Sequence, residues 1–169
     1  MRFIYLVLAL FMGTLMFACG STDESSVAAV EAERGMNSAE SESFLTTLET
    51  LDQAGEVKSE FGTEIVKIRL RVMNKSEDAQ LLRFRTGKKA DVFIYSGGDL
   101  IWSTQQLSSI QMIDEKTIEP KDQMEVVLDW DLLDLKNRLV SPGTYRVQTK
   151  LLAEENVPAP GDVIFDIKK

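Results

Sequence analysis

Residues 64–74 read EIVKIRLRVMN, and their pattern decides the fold. Val66, Ile68, Leu70 and Val72 recur at every second position, with Lys67, Arg69 and Arg71 between them. Successive side chains of an extended strand point to opposite faces, so a period of two means a strand buried on one side. An amphipathic helix would instead repeat its apolar residues at intervals of three and four.

The same period runs outward in both directions. After the turn chemistry of NKSED (74–78), LLRFRT (81–86) places Leu82 and Phe84 on one face and Arg83 and Arg85 on the other. ADVFIYS (90–96) is β-branched and aromatic, SGGD (96–99) is a hairpin turn, and LIW (100–102) resumes an apolar strand. Further on, MEVVLDW (124–130) aligns Met124, Val126, Leu128 and Trp130. SPGTYRVQTKLL (141–152) opens on a Pro-Gly turn and aligns Tyr145, Val147, Thr149 and Leu151. DVIFDI (162–167) turns Val163, Phe165 and Ile167 inward, and SFLTTLETL (43–51) supplies the first strand. Short helical turns fit only LDLKNRL (133–139) and STQQLSSIQM (103–112). Short strands at even spacing predict an all-β protein, an immunoglobulin-like antiparallel sandwich of about seven to nine strands.

The domain occupies 44–169, a length that suits one core. What precedes it differs in kind. Met1-Arg2 is a short positive start, Phe3 to Phe17 is nearly all apolar, and Ala18-Cys19 ends the run before GSTDE. A basic start, an apolar stretch and a small residue describe a secretory signal peptide over 1–18. Leu15 to Cys19 further resembles the lipobox of bacterial lipoproteins, although Met16 stands where Leu is usual and Phe17 is bulky. That resemblance implies that Cys19, the single cysteine, carries lipid such as palmitate on its thiol and amine and anchors the chain in a bilayer. Gly20 rather than Asp after the cysteine then points to the outer membrane of a host that has one. A plain signal and an uncleaved anchor are the alternatives. Residues 19–43 are rich in Ser, Ala and Glu, too polar to offset their ordering entropy, and read as the lipidated Cys with a flexible acidic tether. About 23 such residues reach roughly 25–30 Å. The expected location is therefore the cell envelope, lipid-anchored outside the cytoplasm.

Chemistry is constrained by what is missing. The sequence has no histidine, and a lipidated Cys19 leaves no free thiol. That removes Ser-His-Asp and Cys-His catalysis and imidazole acid–base work. The net charge of −8 becomes one unit more negative once Arg2 is cleaved away, which disfavours a nucleic-acid partner. Asp129, Asp131 and Asp134 could hold calcium, but they lack the spacing of the known calcium loop and read better as a solvated strand end. We expect no catalytic residue, no metal and no cofactor. Trp102 and Trp130 read as core, and Tyr145 as a structural tyrosine whose hydroxyl is tied to the backbone. Two segments are candidate contact loops: 103–116, with Leu107, Ile110, Met112 and Ile113 as anchors for a protein partner, and 131–141.

The succession of motifs resembles the BsuPI family, the intracellular proteinase inhibitors. Asn74 to Ser76, Thr86-Gly87, Asp91, the hairpin from Gly98 to Trp102, Pro120, Trp130, and Pro142-Gly143-Thr144-Tyr145 come in that family's order, over roughly 64–152. The resemblance implies an immunoglobulin-like sandwich and, for founding members, inhibition of a serine protease. It carries no inhibitory residue over to this chain, and the shared positions are turns and core. Two functions follow as expectations: a non-catalytic, membrane-anchored protein-binding module, or an extracytoplasmic serine protease inhibitor.

Overall fold

A computed structural model describes residues 33–169; the signal segment, Cys19 and residues 20–32 lie outside the described residues. In chain order the elements are β1 (Glu33–Arg34), β2 (Met36–Glu40), β3 (Phe44–Leu51), β4 (Glu60–Phe61), β5 (Val66–Asn74) and β6 (Gln80–Thr86). There follow β7 (Ala90–Ser96), β8 (Asp99–Ser103), a 3-10 turn at Thr104–Gln106, β9 (Gln111–Ile118), β10 (Gln123–Trp130), β11 (Gly143–Leu151) and β12 (Val163–Ile167). The fold is all-β, as expected, and twelve strand segments are described because short edge pieces such as β1 and β4 join the longer strands.

One sheet runs β1-β12-β11-β7-β8, with β4 also beside β12; a second runs β10-β5-β3-β2; β6 and β9 form a separate pair. The opening stretch is the centre of the second sheet. β5 pairs antiparallel with β3 on one side and β10 on the other, so Leu70 lies between Leu48 and Val126. Its alternation is observed without a break: Val66, Ile68, Leu70 and Val72 are buried and the bases between them half-buried.

Leu48, Val66, Ile68 and Trp130 of the second sheet pack in one cluster with Val92, Ile94, Val147, Val163 and Phe165 of the first. These inward faces make the sandwich core, and each fully buried side chain of this size contributes roughly 1.5–3 kcal/mol. A smaller cluster holds the β6–β9 pair against the second sheet through Phe44, Val72, Leu82, Phe84, Ile118 and Met124. The SGGD turn is a hairpin between β7 and β8, with Gly97 at φ 58° and Gly98 at φ 100°. Both values lie in the left-handed region that a two-residue turn of this hand needs and that glycine enters without strain.

Two expectations about boundaries change. Residues 33–40, assigned to the tether, form β1 and β2. Their stability comes from backbone pairing rather than apolar burial: Gly35, at φ 74°, donates to the Ile164 carbonyl at 3.0 Å and accepts from the Thr50 N–H at 2.9 Å. Backbone pairing leaves no composition signature, so a polar segment hid it. Likewise 103–116 is not one loop; its second half is β9, pairing with β6 with a register shift between Phe84 and Thr86. The helical turn foreseen in 103–112 is confined to Thr104–Gln106, capped by the Ser103 hydroxyl accepting from the Gln105 N–H. No helix forms in 133–139.

Candidate functional site

The aromatic and turn positions cluster as architecture. Trp130 is fully buried at the end of β10, and its indole N–H donates to the Leu133 carbonyl at 2.9 Å. Its ring tilts against Tyr145 at 5.8 Å between centroids, and Tyr145 stacks on Phe165 at 5.8 Å. The Tyr145 hydroxyl donates to the Ser141 carbonyl at 2.5 Å, which ties the start of β11 to the turn carrying Pro142 and Gly143. Burial pushes the Tyr145 phenol above its ordinary value. Trp102 is half-buried against the same core. A buried, neutral phenol bonded to a carbonyl has no partner for proton transfer to a substrate, so this cluster holds turns in place.

The three aspartates do not converge. Asp129 pairs with Lys67 across the sheet at 3.2 Å. Asp131 accepts from the Leu133 N–H at 3.3 Å. Asp134 accepts from the side chain of Arg138 and from the N–H groups of Lys136 and Arg138, and the guanidinium holds its carboxyl at about 2, well below the usual range. Each acid is used locally. Among the described residues no group of three acidic, Cys or His side chains is placed to hold a metal ion.

Three of the four apolar anchors, Leu107, Ile110 and Met112, line one groove, whereas Ile113, the neighbour of Met112 on a strand, takes the opposite face beside Arg83 and Glu115. Leu107 and Ile110 lie on the connection between the 3-10 turn and β9, while Met112 and Ile113 lie on β9 itself. Ile110 is 77% exposed and Ile113 79%. Leu107, Ile110 and Met112 form one wall of a shallow groove whose other wall is β10, at Val126 and Leu128, with Ala90 and Lys89 at the floor. Sequence reading missed the β10 half. Alternation marks Val126 and Leu128 as inward, and they are, but they stay half-buried, packed at the margins of the two clusters where they line the groove. The one local hint is Val127, apolar on the outer face and 49% exposed.

Sheet edges complete the geometry. The edge of β8 is covered by the 131–140 loop, where the Leu135 N–H donates to the Ile101 carbonyl at 2.9 Å. β10 pairs with β5 on one side, and no strand pairs with it on the other among the described residues.

The two packed sheets with buried aromatic turn anchors define a domain of the β-sandwich class. The chain belongs to the BsuPI family, described as intracellular proteinase inhibitors, whose sequence profile matches residues 53–156. The resemblance drawn from the ordered motifs therefore holds. No curated protein matches the chain. Among solved structures, a β-glucosidase from Listeria innocua in complex with glucose is 12% identical over 78% of this chain and 17% of its own, with a TM-score of 0.42. An alkylpurine DNA glycosylase from Pseudomonas fluorescens bound to DNA is 11% identical over 83% of this chain and 32% of its own, with a TM-score of 0.38. A CARDB domain from Pyrococcus furiosus in complex with di-metal ions is 12% identical over 76% of this chain and 97% of its own, with a TM-score of 0.36. The chain thus spans 17% of the glucosidase's length.

Proposed function

We propose that this chain is an exported, lipid-anchored and non-catalytic module of the cell envelope that binds a protein partner through its open side. The anchor reading rests on the LMFACGS stretch around Cys19, and the location on Gly20, which favours the outer membrane where the host has one. The binding reading rests on one observation: Leu107, Ile110 and Met112, all exposed and apolar, line one groove of the domain. Apolar side chains gathered in this way mark an interaction surface more often than chance exposure does. The lack of histidine leaves the domain without the commonest acid–base group.

Two measurements test it. Cells fed an alkyne fatty acid should label the wild-type chain and not Cys19→Ser; an unlabelled wild type removes the anchor. A photo-crosslinker at Ile110 should trap a defined protein in envelope preparations, and one at Glu56 on the remote turn should not. Equal yields from both positions remove the binding surface.

Membership of a family described as proteinase inhibitors favours a second reading, an extracytoplasmic serine protease inhibitor. An inhibitor docks a rigid segment in the protease cleft, and no disulfide braces one here, since the sequence has a single cysteine. Secreted and envelope serine proteases whose turnover is undiminished by saturating full-length chain would discard this reading.

A further inference from the structure

The groove beside β10 has the makings of a site for an added strand. β10 spans eight residues, all in unbroken register with β5. Natural sheets protect a free edge with proline, lysine, a bulge or a covering loop. β10 has no proline, no lysine and no register shift, whereas β8 has its loop and β9 its lysine. An edge left open in this way presents a row of backbone donors and acceptors, and the half-buried Val126 and Leu128 stand two residues apart beside it. Period-two apolar pockets along an open edge are what an extended peptide needs in order to bind by strand addition.

Charge selects the occupant. Glu119, Asp122, Glu125, Asp129 and Asp131 lie on β10 and the turns at its ends. Among the described residues Asp129 has Lys67, but no base pairs with Glu119, Asp122, Glu125 or Asp131. Lys121 is the one base in this stretch, and it pairs with Glu77. The bilayer is the wrong partner for this edge. Its acids repel an anionic headgroup surface. An acidic edge also repels a second copy of itself.

Resting on the protein-binding reading above, we infer that β10 accepts an extended segment of a partner protein in which apolar residues alternate with lysine or arginine. Its apolar side chains enter the groove against Val126, Leu128 and Met112. Its bases lie on the outer face, where Glu125 and Asp129 stand on either side of Val127. Opposite charges directly across a strand pair favour one register over another.

The test uses full-length chain in detergent and three fluorescent ten-residue peptides, read by anisotropy. One alternates Val with Lys, one Val with Glu, and the third is the Val/Lys peptide N-methylated at alternate residues to block one backbone edge. The Val/Lys peptide should bind, and the other two should be at least about tenfold weaker. Glu125→Lys should weaken it several-fold while Glu56→Lys, an equal charge change on a remote turn, should not. Met112→Ser should weaken it with an unchanged melting curve. Equal losses from Glu125→Lys and Glu56→Lys would mean diffuse attraction and overturn the inference. So would N-methylation without effect, or a dimer that the Val/Lys peptide cannot dissociate. If no peptide binds while the Ile110 crosslink to a partner persists, strand addition falls and the binding module stands.

Discussion

Arg69 Nε donates to Glu49 Oε2 at 2.7 Å, directly across the pairing of β5 with β3. Arg71 donates to the other carboxylate oxygen at 2.5 Å, so one acid bridges two bases on the outer face of the second sheet. Glu49 is 2% exposed, and without its partners a buried carboxylate would be costly. Glu49→Ala leaves two arginines side by side with nothing between them. We expect a loss of about 2–4 kcal/mol, at or below the figure for a fully buried pair because both guanidinium groups touch solvent. Glu49→Gln keeps the shape and should lose less. Urea midpoints at constant slope measure both, and a wild-type midpoint for Glu49→Ala would show that the clamp is ornamental.

Trp130 and Trp102 differ in a way that fluorescence reads directly. Trp130 is fully buried among Tyr145 and Phe165, while Trp102 keeps solvent contact. Trp102→Phe should leave a blue-shifted emission that acrylamide quenches poorly. Trp130→Phe loses the indole bond to the Leu133 carbonyl and part of the core volume, a destabilisation of about 2–4 kcal/mol. Easy quenching of Trp130 in the Trp102→Phe variant would contradict the packing.

These cases show what a period of two can and cannot carry. It placed Leu82, Phe84, Val163 and Phe165 inward, because alternation reports which face a side chain takes. It also placed Val126 and Leu128 inward, yet it is silent on how fully their neighbours cover them, and the part left uncovered lines the groove. Glu49 was hidden for the same reason. A carboxylate on the outward face reads as solvated until the register sets Arg69 beside it. β1 and β2 were invisible because their pairing is made by backbone groups that every sequence has.

The Tyr145 hydroxyl offers a test at high pH. Burial raises the phenol above its ordinary value, so the unfolded chain ionises first. The stabilisation is complete below the unfolded value of about 10 and is lost as pH rises toward the folded one. Wild-type stability should therefore fall across this range more steeply than that of Tyr145→Phe. The variant should in addition lose about 1 kcal/mol at neutral pH with its bond to Ser141. Parallel pH curves for the two proteins would show that the phenol is no more buried than in the unfolded chain.

Asp134 organises the loop that covers β8 and leaves β10 as the open edge. One oxygen accepts from the N–H groups of Lys136 and Arg138 at 2.8 and 2.9 Å, and the other from the Arg138 side chain at 2.7 and 2.9 Å. The guanidinium and the two N–H groups favour the charged carboxylate and hold its pKa at about 2, against an ordinary 3.8. A depressed value means the contribution is present above the unfolded value and is lost as pH falls through the folded one. The amide resonances of Lys136 and Arg138 should therefore titrate together with a midpoint of about 2. Salt should raise that midpoint, since Arg138 is exposed and its charge is screened. Asp134→Asn should abolish the transition and speed hydrogen exchange at Leu135, whose N–H covers the Ile101 carbonyl on β8. A midpoint near 4, or an unchanged Leu135 rate in Asp134→Asn, would mean that this edge is closed by something other than the Asp134 grip.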